Sequence, residues 1–196
     1  SKAMPYEEAA FDKITEYYLN KYPQNFMKPK KIEIEVPPVD FKVGLTERRL
    51  DTTGHVLRNS VLQSLGVQYA VHLNDSQNYN ISSVFAGSIA DDSFPHNFLE
   101  AFRIITLQTC WDLQDWNWQV TSPFIDPYLE EIPEYKKDVI KWAYKIGVPI
   151  EYTRTCTLGE PISCGICGDC LKRRKAFKDA GYEDPLEYKF NEGEKE

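Results

Sequence analysis

The chain has 196 residues, 42% of them hydrophobic, and sets 30 acidic against 23 basic side chains for a formal charge of −7. That length can bury a core without disulfides, and no linker, repeat or low-complexity run divides it, so one globular domain is expected. The acidic balance excludes dedicated nucleic-acid binding, which needs a basic face; the apolar runs are too short to span a bilayer, and nothing resembles a targeting segment, so a soluble cytoplasmic protein is expected.

Tyr6 to Leu19 places Ala10, Phe11, Ile14, Tyr18 and Leu19 at helical spacing behind acids in the first turn, which predicts a helix. Lys31-Ile-Glu-Ile-Glu-Val36 alternates apolar and charged residues before Pro37-Pro38 and predicts a short strand near an exposed edge. Helical spacing returns from Gly54 to Leu73 through Val56, Leu57, Val61, Leu62, Leu65, Tyr69 and Leu73. Ser82 to Ile89 reads as a buried strand, with Asp91 and Asp92 beyond its carboxyl end. Pro95 then suits the first turn of a helix whose apolar face runs from Asn97 to Leu107. Trp118 to Phe124 predicts a further strand, and Glu134 to Ile146 a helix closed by Gly147. This alternation predicts an α/β fold, a parallel sheet flanked by helices, whose ligands bind beyond the carboxyl ends of the strands. The expected division is an α/β domain over 1–150, a metal-binding segment over 151–190 packed on it, and a solvated tail over 191–196.

That segment holds four of the five cysteines, Cys156, Cys164, Cys167 and Cys170, spaced C-x7-C-x2-C-x2-C. A C-x2-C knuckle turns the chain within two residues and aims both sulfurs at one point, and Gly165 and Gly168 suit such turns. Four thiolates point to structural zinc, since they leave no coordination position for a reacting water. Disulfides would need an oxidising compartment, and dithiol redox chemistry needs only two thiols. An iron–sulfur cluster stays open, because C-x2-C-x2-C also begins bacterial ferredoxin loops, although here the remaining cysteine precedes the run and no Cys-Pro follows. Cys110 reads as a buried apolar residue.

Several blocks resemble, in order, the 7-cyano-7-deazaguanine synthases of queuosine biosynthesis, which are PP-loop ATP pyrophosphatases of the adenine-nucleotide α-hydrolase-like fold. Tyr152-Thr-Arg-Thr-Cys156 with the later cysteine triplet is similar to that family's T-W-S-C element and zinc loop. Leu171 to Gly181, followed by Asp184-Pro185 and Tyr188, resembles its closing helix and D-P…Y ending. Arg58-Asn59, Phe98-Leu-Glu-Ala-Phe102, Pro123-Phe-Ile-Asp126 and Gly147-Val-Pro149 extend the likeness over roughly residues 50 to 190.

The resemblance implies an ATP- and magnesium-dependent ligase that converts a carboxylate with ammonia to an amide and then a nitrile through adenylation. It also implies a homodimer. Arg58 would contact a phosphate or the activated carboxylate, with Asn59 holding its geometry, unless Arg58 is simply a solvated helix position. Asp92 would take a substrate amine or magnesium, or serve as a helix N-terminal acid; His96 is an acid–base candidate or an exposed turn residue. Glu100, Asp126, Arg154, Lys172 and Arg173 are further candidates for binding substrate or ATP. The zinc loop is expected to pin the closing helix and Arg154 at the rim of the active site.

The chain also departs from the family. It contains no S-G-G-x-D-S loop, so a complementing N-terminal half is expected and the 196 residues are not expected to turn over ATP unaided. The family's P-G-R-N block is here Thr53-Gly-His-Val-Leu-Arg58-Asn59, its Y-P-D-C-R is Phe94-Pro-His-Asn97, and its T-K after the aspartate is Pro127-Tyr128. Trp111 to Trp118 has no counterpart. These changes leave open a different acceptor carboxylate, for which the resemblance offers the setting of similar proteins in antiviral gene clusters, or a zinc-stabilised binding subunit without catalysis.

Overall fold

The computed structural model describes residues 4–35, 57–92, 94–126, 133 and 135–190. The chain divides into two compact units, a central one over Glu33–Tyr135 and a terminal one made of Ser1–Ile32 and Lys136–Glu196. Among the described residues no helix is long and apolar enough to cross a membrane.

The central unit holds the sheet. In order it contains α2 (Arg58–Gln77), β1 (Ser83–Phe85), a 3-10 turn (Pro95–Asn97), α3 (Leu99–Leu113) and β2 (Gln119–Thr121); α1 (Met4–Lys21) belongs to the terminal unit. β1 and β2 pair in parallel with Val84 opposite Val120, and Ile89 forms a further parallel bridge with Phe124. The expected parallel α/β arrangement is therefore present, with strands shorter than the predicted 82–89 and 118–124. The Ser122 hydroxyl explains the interruption: it donates to the Ser88 carbonyl at 2.5 Å and accepts from the Phe124 N–H at 3.2 Å, replacing ladder bonds with side-chain bonds.

Val67 and Ala70 of α2, Phe102, Ile105 and Cys110 of α3, and Trp118 and Val120 around β2 form the core. The buried face of α2 is Gln63, Val67, Ala70 and Leu73, which corrects the predicted face: Leu57 is 70% exposed, and Val61 and Leu62 are exposed too. Apolar residues lie all round this helix, so their spacing does not select a side. The small side is selected because it admits close approach; a Cβ on Gly66 would lie 3.0 Å from Val84 Cγ1. Leu57 takes a left-handed conformation with φ 58°, so the helix begins at Arg58 rather than at Gly54, which lies outside the described residues. Pro95 belongs to the 3-10 turn instead of the next helix; the Phe98 N–H closes that turn on the Pro95 carbonyl, and α3 starts at Leu99. α3 continues past Leu107 to Leu113 and so carries Cys110 into the core as expected, its thiol 3.4 Å from the Trp118 carbonyl.

The side of β2 turned away from β1 is closed by a helix side chain. Thr106 Oγ1 accepts from the Val120 N–H at 3.0 Å and donates to the Val120 carbonyl at 2.9 Å, satisfying both backbone groups of a residue with no solvent exposure. Thr106→Val keeps the shape and removes both bonds. It is expected to cost about 2 kcal/mol in chemical denaturation; an unchanged midpoint would show that these groups find other partners.

The terminal unit contains α1 (Met4–Lys21), α4 (Lys136–Ile146), a 3-10 turn (Ile150–Tyr152) and α5 (Gly168–Ala180). α1 matches its predicted span, although none of its residues is buried. α4 ends at Gly147 with φ 71°, a left-handed conformation that glycine adopts without penalty. Ala143, Ile150 and Phe177 form a small core with Ile140 and Val148 against them. The predicted strand at 31–36 is not formed: residues 31–35 have no regular structure and Ile32 is 53% exposed. A strand needs a hydrogen-bonded neighbour, and no β-pairing is found for this stretch among the described residues; Lys31 instead pairs with Asp12 at 2.7 Å. Val36 to Val56, Ser93, Pro127 to Ile132, Glu134 and the tail over 191–196 lie outside the described residues.

Candidate functional site

In the terminal unit, Cys156, Cys164, Cys167 and Cys170 converge with all four sulfurs within 4.8 Å of one another. Cys156 follows the 3-10 turn, Cys164 and Cys167 form the knuckle, Cys167 caps α5, and Cys170 lies in its first turn. Four sulfurs around one ion at zinc–thiolate distance stand about 3.8 Å apart along a tetrahedron edge, and the Cys164 and Cys170 sulfurs are 3.9 Å apart. A cluster of several irons and sulfides would hold its thiolates farther apart, so the spacing favours a single ion. The Cys164 N–H points at the Cys156 sulfur (3.4 Å) and the Cys167 N–H at the Cys164 sulfur (3.3 Å), as donors that temper negative charge on thiolates. Burial pushes the Cys164 and Cys170 thiols up. Burial acts in the same sense on Cys167, but hydrogen bonds from Thr157 and Cys170 outweigh it and hold that thiol down at about 6. Four sulfurs at this separation ionise together only with a cation among them, which is the condition a zinc ion meets.

The knuckle is clamped from outside. Gly165 has φ +84°, and a Cβ there would collide with the Phe190 carbonyl. The Lys189 and Phe190 N–H groups bond the Ser163 and Cys164 carbonyls at 2.9 and 3.1 Å. Arg154 donates to the carbonyls of Leu158, Glu160 and Pro161 and lies over the Tyr6 ring at 5.0 Å, so it braces the long spacer of the cysteine motif. Arg173 is buried and forms a two-pronged ion pair with Asp184, Nε to Oδ2 at 2.8 Å and Nη2 to Oδ1 at 3.0 Å, while Nη1 donates to Thr153 Oγ1 at 2.7 Å. The Tyr188 hydroxyl also donates to Asp184. Burial, and then this bond, pushes the Tyr188 phenol well above its usual range.

In the central unit a second constellation lies beyond the carboxyl ends of the strands. The Asn59 side chain donates to Asn97 Oδ1 at 2.8 Å, Ser88 Oγ donates to the same oxygen at 3.3 Å, and Asn97 Nδ2 donates to Asp92 Oδ2 at 3.3 Å. Asp92 Oδ2 also receives the Ile89 N–H at 3.3 Å. After β2, the buried Asp126 carboxylate accepts from Arg103 at 2.9 Å, Thr121 at 2.9 Å and Gln119 at 3.2 Å. Bonds from three donors hold this carboxylate in place.

A family model described as queuosine biosynthesis protein QueC matches residues 20–181. The chain belongs to the QueC family. Among curated proteins named 7-cyano-7-deazaguanine synthase, that of Methanothermobacter thermautotrophicus is 30% identical over 138 residues, 67% of this chain and 54% of its own length. That of Thermoplasma acidophilum is 32% identical over 156 residues, 80% of this chain and 61% of its own length. That of Clostridium kluyveri is 50% identical over 54 residues, 28% of this chain and 24% of its own. The chain thus spans between half and two thirds of the first two relatives.

Within this QueC-family chain, Asn59 and Asp92 are brought together, through a residue that sequence reasoning did not select, Asn97. Arg58 opens α2, is exposed, and makes no hydrogen bond or ion pair among the described residues. Glu100 is exposed in the first turn of α3, and Lys172 is exposed on α5, 3.9 Å from Asp169. The His96 side chain lies outside the described set. Arg173, expected to reach ATP or substrate, instead turns inward to Asp184, because a buried guanidinium is held by a carboxylate when one is in reach. Asp184 and Tyr188 belonged to a recognised ending without an assigned role; the structure gives them one in holding Arg173. Ser88, Ser122 and Arg103 carried no signal, since isolated hydroxyls and a helix arginine are ordinary surface residues in a sequence.

Proposed function

We infer that the chain takes part in ATP-dependent conversion of a carboxylate to an amide and nitrile, with 7-carboxy-7-deazaguanine converted to 7-cyano-7-deazaguanine as the leading reaction. Membership of the QueC family supports this, and the observation that carries it is the polar Asn59, Asn97 and Asp92 cluster beyond the carboxyl end of a parallel strand, where such sheets bind ligands. A carboxylate is a poor electrophile. Transfer of AMP from ATP to one carboxylate oxygen releases pyrophosphate and creates a leaving group; ammonia attacks the carbon, AMP departs, and the amide forms with loss of a proton. A second adenylation, now on the amide oxygen, releases pyrophosphate again, and loss of AMP and of both N–H protons leaves the nitrile.

In this reading Arg58 and Asn59 contact the activated carboxylate or its phosphate, and Asp92 takes a substrate amine or magnesium. His96 is an acid–base candidate, and Glu100 and Lys172 are each candidates for binding substrate or ATP. Asp126 anchors the end of β2, while the thiolate centre holds zinc in a structural role and Arg154 supports its loop. Magnesium bound with ATP would neutralise phosphate charge. Pyrophosphate cradling is assigned to a complementing segment or partner chain, and the assembly to a homodimer or such a pair. The test supplies the protein in its native assembly with ATP, magnesium, ammonium and 7-carboxy-7-deazaguanine, and follows amide and nitrile by mass spectrometry. Both products are expected. Phe94-Pro-His-Asn97 favours one second reading, a different acceptor carboxylate, which predicts pyrophosphate release with another acid and none with this one. No pyrophosphate release with any carboxylate would sink the enzyme reading in favour of a binding subunit.

A further inference from the structure

Asn97 closes the 3-10 turn before α3, and its amide joins three other parts of the central unit: Asn59 in the first turn of α2, Ser88 after β1, and Asp92 beyond it. The direction of the amide follows from its neighbours. An ionised Asp92 only accepts, so it must face Nδ2, and Oδ1 is then left for the two donors, Asn59 Nδ2 and Ser88 Oγ. Few side chains of this size accept and donate at once. A cysteine is a weak partner at both ends, an aspartate cannot donate to Asp92, and a serine is too short to span them.

We propose that Asn97 is a positioning residue of the ligand site: through its one amide it sets Asn59 and Asp92, 33 residues apart in the chain, in a single fixed arrangement at the carboxyl end of β1. This rests on the substrate reading given under Proposed function. The physical reason is that the Ile89 N–H holds the Asp92 carboxylate to its own turn, whereas the bonds shared through Asn97 tie that carboxylate to Asn59 in one arrangement. Asn97→Ala removes all three bonds. Asn97→Asp keeps the shape and the acceptor but sets a second carboxylate against Asp92. The exchange Asp92→Asn with Asn97→Asp reverses donor and acceptor and restores the three bonds of residue 97, giving up the Ile89 N–H bond, which an amide nitrogen in place of Asp92 Oδ2 does not accept.

The experiment uses the full zinc-loaded chain in the native assembly named under Proposed function. Two readouts are followed: the side-chain amide signal of Asn59 by NMR, and affinity for 7-carboxy-7-deazaguanine by calorimetry, with thermal unfolding as a check on the fold. The Asn59 signal is expected to move in both single variants and to return in the exchange variant, and affinity to fall about tenfold in each single variant. The exchange variant separates positioning from mere stability, because a packing role would not be rescued by reversing a hydrogen bond. Wild-type binding with equal affinity in both single variants overturns the inference and leaves the substrate reading standing. A wild-type chain that does not bind the probe overturns the substrate reading; the Asn59 signal then decides the inference, which falls if that signal is unmoved in both single variants.

Discussion

Removing the ion from Cys156, Cys164, Cys167 and Cys170 with a chelator, or replacing Cys156 or Cys170 by serine, is expected to unfold the terminal unit. Its apolar core among the described residues is small: Ala143, Ile150 and Phe177 form the buried cluster, and α1 contributes no buried residue. The sulfurs of Cys156, Cys164 and Cys170 are themselves a second core, with the three residues 0%, 1% and 0% exposed. Tetrathiolate zinc contributes on the order of 10 kcal/mol to folding in small domains near neutral pH, against a typical net domain stability of about 5–15 kcal/mol. Losing even half of it would leave the Ile150 and Phe177 contacts too few to hold the knuckle, Arg154 and the start of α5 in place. Elemental analysis should find one zinc per chain, and calorimetry should show a transition that disappears with chelator and returns on adding zinc. An unfolding profile indifferent to chelation, or visible absorption from iron and sulfide, would overturn the assignment.

The cysteine spacing was readable because metal ligation is local: a knuckle, a glycine turn and a helix start determine where two sulfurs point, whatever surrounds them. The alternation of helices and strands was readable for a similar reason, since β1, α3 and β2 each carry their own apolar pattern. What the sequence could not show is pairing at a distance. Residues 31–35 have the alternation of a strand, yet no β-pairing is found for them among the described residues; α2 has apolar residues on all sides, and it turns Gly66 to β1 because Val84 is there to meet it. The same holds in the candidate sites. Arg173 looks in the sequence like one of four adjacent basic residues on a solvated helix, and only the fold brings Asp184 and Thr153 to it. Asn97 stands in a stretch that departs from the family, so it reads as a loss until Asn59 and Asp92 are seen on either side of it.

Arg173→Ala is expected to destabilise the terminal unit by about 3–5 kcal/mol, the cost of leaving a buried carboxylate without its partner. The pair is 7% and 8% exposed, so solvent does little to screen it, and both nitrogen–oxygen contacts are at charge-assisted distance. Three segments meet on the guanidinium: α5, the stretch leading to Cys156 through Thr153, and the D-P…Y ending through Asp184, with the Phe177 ring 5.0 Å away. Arg173→Lys should recover only part of the loss, because one ammonium cannot reach both carboxylate oxygens and Thr153 together. Tyr188 gives the same network a pH signature. Its phenol is held above the usual 10.0 by burial and by Asp184, so its stabilisation is complete below that value and declines as pH rises beyond it. Denaturant titrations near neutral pH and again above pH ~10 should therefore show wild type losing stability with alkali, and Tyr188→Phe losing less. Wild-type zinc content with an unchanged denaturation midpoint in Arg173→Ala would show instead that the thiolate centre holds the closing helix without this ion pair.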